Sequence, residues 1–189
     1  CDRDGRVWIV VENSDIFCCD PQTREVVSRY KPRKPLRSFA VDRNGVIWFA
    51  GYGGGLYYTE DLFRNVKPFL DAGGQEIYPK DIISFICLSD YNGMYLGLEE
   101  HGVVKVDLVT GTVTRLRLSD NPDAPLFVRH ILPYSPDELW IGTESGIVVY
   151  NIRTRRYQHL KSSPYDPYSL SDNAVYSLCK DREGGLWIG

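Results

Sequence analysis

The chain has 189 residues, with 22 Lys+Arg against 25 Asp+Glu and a formal net charge of −3. That balance argues against a general nucleic-acid binder, which is usually basic, and the length suffices for a substantial core. No apolar run reaches the 18 residues of a membrane-spanning helix, and no segment reads as a signal peptide.

In chain order, one short phrase recurs five times: DRDGRVWIV from Asp2, DRNGVIWFAG from Asp42, DYNGMYLG from Asp90, SPDELWIGT from Ser135 and DREGGLWIG from Asp181. Its aromatic falls at Trp8, Trp48, Tyr95, Trp140 and Trp187, in steps of 40, 47, 45 and 47 residues. A period of about 40–50 residues marks propellers and related arrays. The opening Asp can bond its own backbone two residues on and start a turn. Gly5, Gly45 and Gly184 would supply a positive φ there. The aromatic then opens a strand, and Trp48 and Trp140 are expected to be largely buried.

After Trp8, Cys18 and Cys19 share a strand and point to opposite faces. Asp20-x-x-Thr23, Asp107-x-x-Thr110 and Asn151-x-x-Thr154 each predict a hairpin turn. Gly53-Gly54-Gly55 is a turn and not a phosphate loop, since no Lys-Ser/Thr follows and no helix opens. Cys87 and Cys179 take equivalent places in their strands, where a small buried apolar filler is expected. In the fourth repeat, strands are predicted over Leu126–Leu132, Leu139–Thr143, Ile147–Asn151 and Arg156–Leu160, with turns at Pro133–Glu138 and Glu144–Gly146. Alternation dominates everywhere, so the chain reads as all-β: a β-propeller of four-stranded antiparallel blades. The units are a part-blade over 1–35, blades over about 36–81, 82–126 and 127–172, and the start of a further blade over 173–189. Five cysteines at irregular spacing fit no zinc or redox pattern. His101, His130 and His159 show no ligand spacing, so no metal and no cofactor is proposed. No nucleophile–base arrangement stands out, so no catalytic residue is assigned.

LWIGTESGIVVYNIRTRRY at Leu139–Tyr157 and SLSDNAVYSLCKDREGGLWIG at Ser169–Gly189 resemble the two-component regulator propeller repeat. That resemblance implies a fragment of about four blades from a seven-bladed propeller. It implies the periplasmic sensor region of a hybrid two-component histidine kinase, controlling polysaccharide utilisation in response to oligosaccharides. The implied partners are an oligosaccharide and the remaining blades and domains of the parent receptor, itself expected to be a homodimer. The segment would carry no kinase and would touch no nucleic acid. An interaction scaffold without a small ligand is the alternative.

The loops joining one repeat to the next, and the turns after each aromatic strand, should gather on one face. The long ones are Lys31–Arg37, Asp71–Asp81, Ser119–Phe127 and Ser162–Asn173, and the basic run KPRKPLR from Lys31 would suit an acidic glycan. The ligand candidates are Arg37, Tyr52, Tyr78 and Arg129. Arg37 and Arg129 sit at matching places in their first strands. A buried Arg there should face a channel, a partner carboxylate or a ligand. The chain begins inside one repeat's turn and stops within a strand, so an open arc that self-associates through residues 174–180 is expected.

Overall fold

A computed structural model describes residues 5–10, 15–32, 36–52, 54–89, 92–121 and 124–189. Asp2, Arg33, Lys34, Gly53, Asp90 and Asp123 lie outside these residues, and so do the aspartates of the first and third phrase. Every regular element among the described residues is a β-strand. The chain divides into two compact units, residues 1–88 and 89–189.

In the first unit, β1 (Val7–Val10), β2 (Ile16–Cys19) and β3 (Val26–Tyr30) form an antiparallel sheet in chain order. A four-stranded sheet follows in the order β4 (Leu36–Val41), β5 (Ile47–Gly51), β6 (Leu56–Thr59), β7 (Lys67–Pro68). Next comes β8 (Ile83–Leu88), packed beside β4 and tied to it where the Ile86 amide donates to Ser38 Oγ at 2.7 Å. Ile16, Leu36, Ile47 and Phe49 form a core between the two sheets. Phe63 enters that core from the loop after β6. It stacks on Tyr30 with centroids 4.4 Å apart and meets Trp8 and Phe49 edge-on or tilted. To reach it, Leu62 and Phe63 both adopt positive φ, 55° and 68°. Non-glycine residues pay for that conformation. Thr59 Oγ1 holds the loop by accepting from the Phe63 amide at 3.1 Å.

In the second unit, β9 (Gly93–Leu98), β10 (Gly102–Asp107) and β11 (Val113–Arg115) pair in chain order. A complete sheet then runs β12 (Val128–Ser135), β13 (Glu138–Thr143), β14 (Gly146–Asn151), β15 (Tyr157–Leu160). It is followed by the pair β16 (Leu178–Lys180) and β17 (Leu186–Ile188). Met94, Leu96, Leu98, Val103, Leu139, Ile141 and Ile147 are wholly buried. β12 continues through Pro133, where a turn was expected. It lies at the edge of its sheet, where a missing amide donor breaks no ladder, and its register shifts between Pro133 and Ser135.

The phrase's turn is the same at its two described opening aspartates. Asp42 Oδ1 accepts from the amides of Asn44 and Val46, while Oδ2 accepts from the Trp48 indole at 3.2 Å. Asp181 repeats this with Glu183, Gly185 and the Trp187 indole at 3.0 Å. Gly45 and Gly184 take φ of 82° and 90°. The fourth repeat lacks the aspartate, and Glu138 accepts from the Trp140 indole instead. The other hairpin turn also recurs. Asp20, Asp107 and Asn151 each accept from the amide three residues on through Oδ1. The residue four positions on in each turn, Arg24, Gly111 or Arg155, takes positive φ.

The burial of the aromatics is uneven. Trp48 is 6 % exposed, Trp140 is half-buried and Trp187 is 68 % exposed. Trp48 lies opposite Tyr58 and is capped by Phe69, whereas Trp140 lies opposite the smaller Val149 and β17 pairs with β16 alone. Cys87 is buried, and burial pushes its thiol up to about 12. Cys179, expected inside, is exposed beside Trp187.

The glycine two residues after Trp140 has a steric cause. A Cβ on Gly142 would lie 3.0 Å from both the Val175 carbonyl oxygen and its Cγ1. Val175 is part of the Ile147–Val175–Leu178 core, and its amide donates to Thr143 O at 2.9 Å. Gly142→Ala should therefore cost about 1–3 kcal/mol as an overpacked contact. Denaturant melts of the two proteins check this, and a loss below about 0.5 kcal/mol, the range of neutral surface changes, would show that the contact is not tight.

Candidate functional site

Arg37 and Arg129 occupy one structural position. Each stands eleven residues before its repeat's aromatic. Each is the residue at which strand register slips, between Leu36 and Ser38 on β4 and between Val128 and His130 on β12. Tyr176 has the same offset from Trp187. The amides of Tyr176 and Ser177 both donate to Gly189 O, at 2.8 and 2.9 Å. Two residues facing one is a β-bulge, a device that re-aims a side chain. Bulky polar side chains thus project where a regular strand would bury or pair them.

Four residues after the aromatic comes a second recurring position, filled by Tyr52, Glu99 and Glu144. These side chains meet the bulge residues. In the first unit, Arg37 Nη1 donates to Tyr52 Oη at 2.8 Å, with the guanidinium 5.5 Å from the ring centre. In the second unit, Arg129 Nη2 donates to Glu144, and its Nη1 lies 3.7 Å from Glu99 Oε1. The Arg129 side chain is 15 % exposed, and its Nε is buried without a hydrogen-bond partner. The Glu144 hydrogen bond holds the guanidinium above its usual pKa. Burial opposes this, and the charges of Glu144 and Glu99 and the nearby Tyr176 reinforce it.

Of the four candidates, Arg37 and Tyr52 come together. Tyr78 sits at a positive φ of 47° in the loop whose backbone crosses Gly55: a Cβ there would lie 3.1 Å from Ile77 O and 3.9 Å from Tyr78 O. That places Tyr78 beside the turn Tyr52 begins. Arg129 meets carboxylates, one of the three outcomes expected for it. Glu99 and Tyr176 were missed, although each shares its offset from a repeat aromatic with a chosen residue. Part of the 71–81 loop is itself a tight turn, with Asp71 Oδ1 accepting from Gly73 and Gln75. Among the described residues, no three His, Cys, Asp or Glu side chains gather as a metal site would need.

Residues 169–189 match the family model of the two component regulator propeller. Over 160 residues the chain is 26 % identical to Histidine kinase P4 of Formosa agariphila, covering 80 % of this chain and 11 % of that protein. The extracellular domain of BT4673 from B. thetaiotaomicron, described as that of a hybrid two component system, superposes with a TM-score of 0.76. The identity is 18 %, covering 97 % of this chain and 24 % of that one. The β-propeller domain of Cps50 (Swd1) from Myceliophteria thermophila gives a TM-score of 0.68 at 17 % identity, over 99 % of this chain and 59 % of that one. The four-stranded sheets are therefore β-propeller blades. The chain spans a minor part of the two bacterial relatives.

Arg129→Met should leave the half-buried Glu99 and the exposed Glu144 without the cation they share. We expect it to cost about 1–3 kcal/mol, between the values for exposed and fully buried pairs. Arg153, whose pair with Asp137 is exposed, should cost below about 1 kcal/mol on the same change. Equal losses in urea melts would mean that Arg129 is an ordinary surface charge.

Proposed function

We propose that this chain is a ligand-sensing segment of the extracytoplasmic part of a hybrid two-component sensor. We propose further that the ligand is an oligosaccharide whose binding controls polysaccharide utilisation. The observation that carries the reading is the repeated strand-end pair, a bulge side chain meeting the residue that follows the aromatic strand. It recurs in a chain whose residues 169–189 match the two component regulator propeller model. Such a pair suits sugar chemistry. Guanidinium and carboxylate groups present planar donors and acceptors to vicinal hydroxyls, and a tyrosine ring offers a face to the sugar's C–H groups. Arg37, Tyr52, Tyr78 and Arg129 would make these contacts, with Glu99 and Glu144 orienting Arg129. The segment would do no chemistry of its own. Its ligand would act by binding one arrangement of the receptor more tightly than another. The periplasm is the compartment this reading requires.

A second reading, a docking scaffold for a protein partner, draws on Tyr165 and Tyr168. These rings are 95 % and 96 % exposed on a loop pinned by Ser163, Asp166 and Ser169.

The test is a calorimetric screen of oligosaccharides against the intact receptor, with Arg37, Tyr52, Tyr78 and Arg129 changed to Ala one at a time. The sensing reading expects at least one of these changes to weaken a bound oligosaccharide about tenfold or more, the worth of one charge-assisted hydrogen bond. Unchanged affinity and signalling in all four variants would make this segment scaffold.

A further inference from the structure

The second unit holds a groove of about 450 Å³ beside the open edge of β11. That lies within the roughly 300–1,000 Å³ of small-ligand sites. Its floor is apolar, made by Leu116, Leu118 and Leu126, and Leu118 is buried. Its rim carries Arg115, Arg117 and His101, all exposed.

The groove is built before any ligand arrives. The Leu116 amide donates to Val103 O at 2.9 Å, and the Leu126 amide donates to Glu100 O at 3.2 Å. His159 Nε2 lies 3.0 Å from Leu118 O, fixing the floor from behind. Leu126 also bridges to His101, so the loop is held against the turn after β9. That turn also carries Glu99, which pairs with Arg129.

Its charge runs against that of the chain. The whole sequence is net −3, yet among the described residues the lining sets Arg115 and Arg117 against the carboxylate of Asp120, with His101 beside them. That carboxylate is already engaged: the Tyr157 hydroxyl donates to it at 2.6 Å, and Arg117 Nη2 lies 3.5 Å away. An apolar floor under a cationic rim fits a ring with one C–H face and an anionic substituent. Arginine forks recognise carboxylate and sulfate oxygens in pairs.

We infer that this groove binds an anionic sugar unit, bearing a carboxylate or a sulfate, of the oligosaccharide ligand. The inference rests on the sensing function proposed above, and it narrows the ligand class to acidic glycans.

The experiment titrates the full chain by calorimetry with three probes: trigalacturonate, a sulfated chondroitin disaccharide and neutral maltotriose. Wild type, Arg115→Ala/Arg117→Ala and Arg115→Lys/Arg117→Lys are compared, with thermal melts confirming that these exposed changes leave the fold intact. An anionic probe should bind about tenfold or more tightly than maltotriose. The Ala pair should remove that preference and the Lys pair should keep part of it, with binding weakening as salt rises. The carboxylate and sulfate arms distinguish the two sources of the anion. Maltotriose binding as well as the anions, with the Ala pair unchanged, would overturn the anionic groove and leave oligosaccharide sensing standing. Binding of neither anionic probe would overturn the inference outright. Tight binding of both anions that survives the Ala pair would place the anion site elsewhere and overturn it equally.

Discussion

A single carboxylate makes two attachments at once. In the second and fifth phrases, Oδ1 of Asp42 or Asp181 closes a turn by accepting two backbone amides, while Oδ2 takes the indole proton of the tryptophan six residues on. The turn sets where the first strand ends and the second begins. The indole bond sets which face of the second strand its ring lies on. With those fixed, strand register follows. The Trp187 indole, then the Gly185 amide, hold the Asp181 carboxyl below its ordinary range. A depressed carboxylate contributes stability that is present above its unfolded value, near pH ~4, and is lost as pH falls through the folded value. The Asp181 turn is thus firm at neutral pH and weakens only in acid.

The same spacing governs the strand ends. Because the aromatic is pinned, residues at fixed offsets from it land at fixed places, and a bulge before the first strand turns one side chain toward the turn after the second. Arg37 with Tyr52 and Arg129 with Glu144 are two versions of one contact. The repeat supplies the position, and the residue filling it is free to vary between guanidinium, carboxylate and phenol. A repeat fold can in this way hold its geometry while changing what it binds, because blade packing and strand-end chemistry use different residues.

Much of this was legible in the residues alone. The 40- to 47-residue steps and the alternation located the strands around Trp48, Tyr95 and Trp140, and Asp20, Asp107 and Asn151 announced their hairpins through local bonds that need no distant partner. What escaped was set by neighbours. Pro133 reads as a turn until its strand proves to be a sheet edge. Trp48 and Trp140 look alike until Tyr58 and Phe69 cover one and Val149 faces the other. Cys179 reads as core filler, yet its pair of strands leaves it exposed. Phe63 gives no sign that it enters the core, because its backbone conformation is one its residue type disfavours. Arg129 was singled out as costly to bury, but Glu99 went unnoticed because only its four-residue offset from Tyr95, and no local motif, marks it.

The dependence of a whole blade on one turn can be measured by hydrogen exchange in Asp42→Ala. This change removes the acceptor for Asn44, Val46 and the Trp48 indole together. If the aspartate organises the blade, protection should fall in concert across β4, β5 and β6, residues 36–59, with the Trp48 indole proton among the first to exchange. Faster exchange confined to residues 43–46, with the rest of the sheet as protected as in the wild type, would contradict that role.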